Sequence, residues 1–111
     1  MADLEHMQKE VDAYIGQFKA GYFSPLGQLA RLTEEVGELA REINHSYGEK
    51  QKKPSEEDKA LEEELGDVLF VIISLANSLD IDLSEAFDLT MQKFTQRDHF
   101  RFERVDGEKD A

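Results

Sequence analysis

The sequence predicts an all-α protein, a compact bundle of about four helices. Three observations carry that reading. Apolar residues recur at intervals of three and four almost throughout, no alternating strand pattern competes with them, and both prolines fall at helix boundaries. At 111 residues and 12.7 kDa the chain has material for one core, and its 40% hydrophobic content is enough to build it beneath a heavily charged surface. Residues 1–105 are expected to form a single domain, with 106–111 a flexible charged tail.

The elements follow in order from local signals. Leu4, Met7, Val11, Ile15 and Phe18 make an apolar stripe that ends at Gly21. Ser24 and Pro25 are an N-cap and first-turn pair, opening a second helix whose Leu29, Leu32, Val36, Leu39 and Ile43 share one narrow face. Tyr47-Gly48 closes it, and residues 48–54 read as a polar loop. Ser55 with Asp58 caps a third helix running to about Leu79. From Leu65 to Ala76 only Gly66, Asp67 and Ser74 interrupt its apolar residues, so this helix is greasy most of the way round. Three short neighbours can hardly cover it, which predicts a homo-oligomer, dimer or tetramer, joined through the central apolar helices. Asp82 with Glu85 resembles a capping box for a fourth helix, with Leu83, Phe87, Met91 and Phe94 turned inward. Beyond Arg97 the pattern weakens into Phe100 and Phe102.

Charge narrows the function. The net charge is -12, from 25 acids against 13 bases, which argues against nucleic acid as a partner. No apolar run is long enough for a membrane span and the N-terminus is unlike a signal peptide, so a cytoplasmic protein is expected. The absence of cysteine removes disulfides, zinc–thiolate sites and thiol nucleophiles together. Residues 54–91 hold 11 acids and one base, Lys59, whereas residues 92–105 carry Lys93, Arg97, Arg101 and Arg104 against Asp98 and Glu103. An acidic middle followed by a basic segment suits a site that handles both cations and anions.

The acids cluster on two consecutive helices, as Glu34-Glu35-Val36-Gly37-Glu38 with Glu42 a turn later, and as Glu62-Glu63-Glu64-Leu65-Gly66-Asp67. Helical spacing sets Glu35 and Glu38 at the flank of the second helix's apolar stripe, and Glu64 and Asp67 in or beside the sector of Val68, Val71 and Leu75. Carboxylates among aliphatics are costly unless a cation or donor compensates, and all-oxygen ligation suits Mg²⁺ or Mn²⁺. A di-iron bundle would need Glu-x-x-His on two helices; Glu42-Ile43-Asn44-His45 supplies it once, and the third helix has no histidine. No Walker loop and no Ser-His-Asp arrangement is present. Lys93, Arg97 and Arg101 recur every four residues and can hold phosphate oxygens or screen the acids. Asn77, further along the third helix, can read a base or sugar, or serve as a polar cap of the core.

Glu34-Glu35-x-x-Glu38 followed by Glu64-x-x-Asp67, within Leu32–Leu39 and Glu63–Phe70 and with Lys93-Phe94-Thr95-Gln96-Arg97 after them, resembles the MazG-like nucleotide pyrophosphohydrolases of the all-α NTP pyrophosphatase superfamily. The resemblance runs from about Leu26 to Phe102. It implies Mg²⁺-dependent hydrolysis of a nucleoside triphosphate to monophosphate and pyrophosphate, with Mn²⁺ able to substitute. By motif position Glu35, Glu38, Glu64 and Asp67 would hold metal, Glu34 would orient water or stand behind the ligands, and Lys93 and Arg97 would contact phosphate. The implied role is house-cleaning of unwanted or non-canonical nucleotides. The alternatives are a narrower relative (a dUTP/dCTP-type or phosphoribosyl-ATP pyrophosphohydrolase) and a non-catalytic helical oligomerisation module. Gly37 and Gly66, inside helices, read as room for a close helix or a ligand.

Overall fold

The structure, a computed structural model, describes residues 3–48 and 61–110. It is all-α: α1 spans Leu4–Ile15, α2 Pro25–Tyr47, α3 Leu61–Ser78 and α4 Leu83–Arg97. The expected cap of the third helix at Ser55 and Asp58, and most of the 48–54 loop, lie outside the described residues. Asp3, Ser24 and Asp82 cap α1, α2 and α4 by accepting backbone N–H groups of the first turn, and Pro25 occupies the first turn of α2. α1 stops at Ile15, short of Gly21, because Gly16 takes the C-cap and Phe18 enters a turn half-exposed. Gly21, at φ 65°, lets the chain reverse, and the Tyr22 hydroxyl fixes the reversal by donating to Asp12 Oδ1 at 2.6 Å.

α2 and α3 form an antiparallel hairpin, since Gln28 near the start of α2 bonds Ser74 and Ser78 near the end of α3. α1 lies across α3, and its Gln8 ties three elements together. The Gln8 amide donates to Asn77 Oδ1 and the Ile81 carbonyl, accepts from Leu83 N–H, and its main-chain carbonyl accepts from Asn77 Nδ2. α3 is thus the central helix, with Val71, Ile73 and Ala76 in the core beside Val11 of α1.

The narrow face of α2 divides, and the expected inward face of α4 is corrected. On α2 the buried residues are Gln28 and Glu42; Leu32 and Leu39 of the apolar stripe are half-buried, while Leu29, Val36 and Ile43 stay exposed, Val36 at 47%. The side of α2 that meets α3 carries the polar run 28, 35, 42, with half-buried Leu32 and Leu39 beside it, one position before the exposed run 29, 36, 43. On α4, Phe87, Met91 and Phe94 are exposed and no residue is buried, because α4 rests on α1 rather than closing over the hairpin. One chain alone is therefore more open than the compact bundle expected. Its radius of gyration is 18.4 Å, against about 13 Å for a compact domain of this length.

The exposed stripes share a direction. Leu29, Val36 and Ile43 each follow the α3-facing position by one residue, and Leu65, Ile72 and Leu79 each follow Glu64, Val71 and Ser78 by one. In two right-handed helices running antiparallel, an advance of about 100° turns both stripes to the same side of the hairpin. α1 covers the opposite side, where Tyr14 packs edge-on against Phe70. Among the described residues nothing covers this continuous apolar face.

Candidate active site

The α2–α3 register brings one carboxylate oxygen from each of Glu35, Glu64 and Asp67 within 4.8 Å of one another. Glu64 is 1% exposed, and Glu35 and Asp67 are half-buried. Ionised carboxylates at such separations repel by roughly 3 kcal/mol per pair at an effective dielectric of about 20. Glu35 Oε2 is buried without a hydrogen-bond partner among the described residues. Burial pushes the Glu35 carboxyl above its ordinary value, and the charges of Glu38, Asp67 and Glu64 push it further, against the pull of Arg31 one turn earlier. A buried, partnerless oxygen facing two further carboxylates is a donor set for a hard divalent cation. The residues present fit Mg²⁺ or Mn²⁺.

The structure treats the remaining expected site residues unequally. Glu38 lies outside the group that meets within 4.8 Å but acts on Glu35 through its charge. Glu34 is exposed on α2. Lys93 and Arg97 sit on α4, which rests on α1: Lys93 lies 5.0 Å from the Phe94 ring centroid, and Arg97 pairs with Asp98 at 3.0 Å. Asn77 is about 15 Å along α3 from Asp67 by helical rise, and both ends of its carboxamide are engaged by Gln8, so it serves the fold. His45 is buried 3.9 Å from Glu42 near the end of α2. An added Cβ at Gly37 or Gly66 would meet nothing within 4 Å, so neither glycine makes room for a helix of the same chain.

Sequence reasoning missed Arg31. Its guanidinium lies over Phe70, 5.6 Å from the ring centroid, and lines an aromatic cavity of about 240 Å³ with Tyr14, Phe18, Tyr22, Phe23 and Phe70. Arg31 precedes Glu35 by four residues and Phe70 follows Asp67 by three, so this cavity begins one helical turn from the carboxylates on both helices. The four-residue spacing to Glu35 was the available signal. The side chain's reach toward aromatics from other elements was not.

Comparison with known proteins agrees with this chemistry. The MazG nucleotide pyrophosphohydrolase domain matches residues 23–102. The chain is 63% identical to YpjD of Bacillus subtilis over 106 residues, 96% of each chain, and 33% identical to YvdC of the same organism over 103 residues, 87% of this chain and 94% of that one. The crystal structure of YpjD superposes with a TM-score of 0.76 at 67% identity, covering 85% of this chain and 98% of the other. That of the Bacillus-conserved MazG protein, a nucleotide pyrophosphohydrolase, gives 0.74 at 62% identity, covering 85% and 90%. The oligomerisation module without catalysis is set aside: this chain belongs to the MazG nucleotide pyrophosphohydrolase family, hydrolases acting on the pyrophosphate bonds of nucleotides.

Proposed function

We propose that the chain converts nucleoside triphosphates to monophosphate and pyrophosphate in a cytoplasmic house-cleaning role, with Mg²⁺ as cofactor and Mn²⁺ able to replace it. The observation that carries this is the partnerless buried oxygen of Glu35 among the carboxylates of Glu64 and Asp67. These three side chains would hold the cation, with Glu38 adding charge beside them. When bound, the cation neutralises the polyphosphate and makes a water nucleophilic at neutral pH. The aromatic cavity one turn away takes the base by stacking, and Arg31 at its rim meets the phosphates as they pass toward the carboxylates.

The bare apolar face on α2 and α3, with the exposed Phe87, Leu89 and Met91 of α4, supports a homo-oligomer of single domains spanning residues 1–105. Lys93 and Arg97 would then reach phosphate in the site of a second copy, because α4 stands off its own hairpin. A panel of canonical and modified (d)NTPs assayed with Mg²⁺, scoring monophosphate and pyrophosphate separately, tests the reading. Activity on modified nucleotides above the canonical ones is expected. Release of inorganic phosphate in place of pyrophosphate would overturn it, and a single preferred pyrimidine nucleotide would replace house-cleaning with a narrower role.

A further inference from the structure

Among the described residues Gln28 is the most buried polar side chain after Glu64, at 2% exposure, and three of its four hydrogen-bonding positions are used. Its Nε2 donates to the Phe23 carbonyl at 2.8 Å and to Ser78 Oγ at 2.9 Å, and its Oε1 accepts from Ser74 Oγ at 2.8 Å. A buried carboxamide that makes three bonds fixes one geometry, because any displacement leaves polar groups dry and unpaired.

Its position gives that geometry a purpose. Gln28 precedes Glu35 by seven residues on α2, and Ser74 follows Asp67 by seven on α3. In an antiparallel pair these are the same register read two turns apart, so the clasp at one level sets which residues meet at the other. At the carboxylate level the charges of Glu35, Glu64 and Asp67 disfavour close approach, and apolar contacts are less directional than hydrogen bonds. Directional bonds away from the acids help hold the acids together before a cation arrives, much as a buried polar residue fixes register in coiled coils. The bond to Phe23 extends the same constraint to the turn that walls the aromatic cavity.

We propose that Gln28 is a positioning residue: its clasp on Ser74 and Ser78 locks the α2–α3 register that preassembles Glu35, Glu64 and Asp67 for a divalent cation. The proposal rests on the metal reading given above. Its test is direct Mn²⁺ binding, followed by the resonance of free Mn²⁺, on the full chain and on Gln28→Met, which keeps length and volume but not the bonds, with melting in chelator recorded in parallel. Ser74→Ala, which removes one bond of three, guards against a misfolded Gln28→Met. Glu35→Gln is the control for the metal site.

Gln28→Met is expected to stay folded but melt several degrees or more below the parent, since it leaves buried polar groups unpaired. It should bind Mn²⁺ about tenfold or more weakly, with Ser74→Ala falling between, and excess Mn²⁺ restoring turnover in both. A folded Gln28→Met that binds Mn²⁺ like the parent while Glu35→Gln does not would overturn the clasp alone, and so would an unchanged Ser74→Ala if Gln28→Met fails to fold. A parent chain that does not bind Mn²⁺, or a Glu35→Gln that binds it unchanged, would overturn the metal reading and the clasp together.

Discussion

Gln28 and Glu35 stand seven residues apart on the side of α2 that faces α3, one making three hydrogen bonds and the other holding a buried oxygen with none. Glu42, buried another seven residues on, completes a polar run that shares this side with the half-buried Leu32 and Leu39. Such a seam costs stability in the free protein. It becomes intelligible if the α2–α3 interface is the site and the apolar stripe serves a different contact.

Neutralising Glu35 separates those two roles. Glu35→Gln is expected to raise the melting temperature in chelator by a few degrees, since it removes a charge that Glu38, Asp67 and Glu64 all disfavour. The same change should abolish stabilisation by Mg²⁺ and lower turnover by orders of magnitude. Glu63→Gln, on the exposed side of α3, should match the parent in both. Thermal melts with and without Mg²⁺, alongside kinetics, read every term, and a Glu35→Gln enzyme of normal turnover would remove the carboxylate cluster from the mechanism.

Acidity should act through the same residue. Because the Glu35 carboxyl titrates above its ordinary value, the native state binds more protons than the unfolded chain between that ordinary value and the raised one. Its contribution to metal-free stability is therefore full below this window and lost as pH rises through it, while cation binding, which needs the ionised form, shows the opposite trend. Arg31 opposes the upward shift, so Arg31→Ala should move the midpoint of Mn²⁺ binding to higher pH and raise KM. Mn²⁺ titrations across pH on both proteins measure it; coincident midpoints would show that Arg31 does not act on Glu35.

Much of this was legible before the structure. Ser24-Pro25 and Asp82 marked two helix starts, and the greasy stretch from Leu65 to Ala76 marked the central helix, because capping and periodicity are local physics. Glu35, Glu64 and Asp67 stood out because carboxylates beside aliphatics are costly. Periodicity finds the α2 stripe of Leu29, Leu32, Val36, Leu39 and Ile43 but does not say which partner covers it, and the structure leaves Leu29, Val36 and Ile43 exposed. The same ambiguity turned Phe87 and Phe94 inward. Asn77 was open to two roles because its partner, Gln8, lies 69 residues away in the chain.

The bare face should be an interface between copies. The protein is expected to sediment as a dimer or larger at micromolar concentration, and Val36→Lys or Ile72→Lys, each burying a charge in that contact, should release monomer. Equilibrium sedimentation decides this. An active monomer of the unmodified chain would mean that the stripe has another partner.

Whether α4 serves its own site or a neighbour's can be settled by mixing two inactive proteins. Glu35→Gln lacks the proposed cation ligand and Lys93→Ala the proposed phosphate contact, so each alone should be nearly inactive. If Lys93 acts across the subunit boundary, a mixed dimer contains one site that takes intact carboxylates from the Lys93→Ala chain and an intact lysine from the Glu35→Gln chain. Its other site carries both defects. Random co-refolding of equal amounts then regenerates about a quarter of the parent activity in a dimer. If Lys93 acts within its own chain, every site in every mixture keeps one defect and nothing is regained. The outcome turns on α4 resting on α1 while the carboxylates lie between α2 and α3, and recovery near a quarter is the result expected from that arrangement.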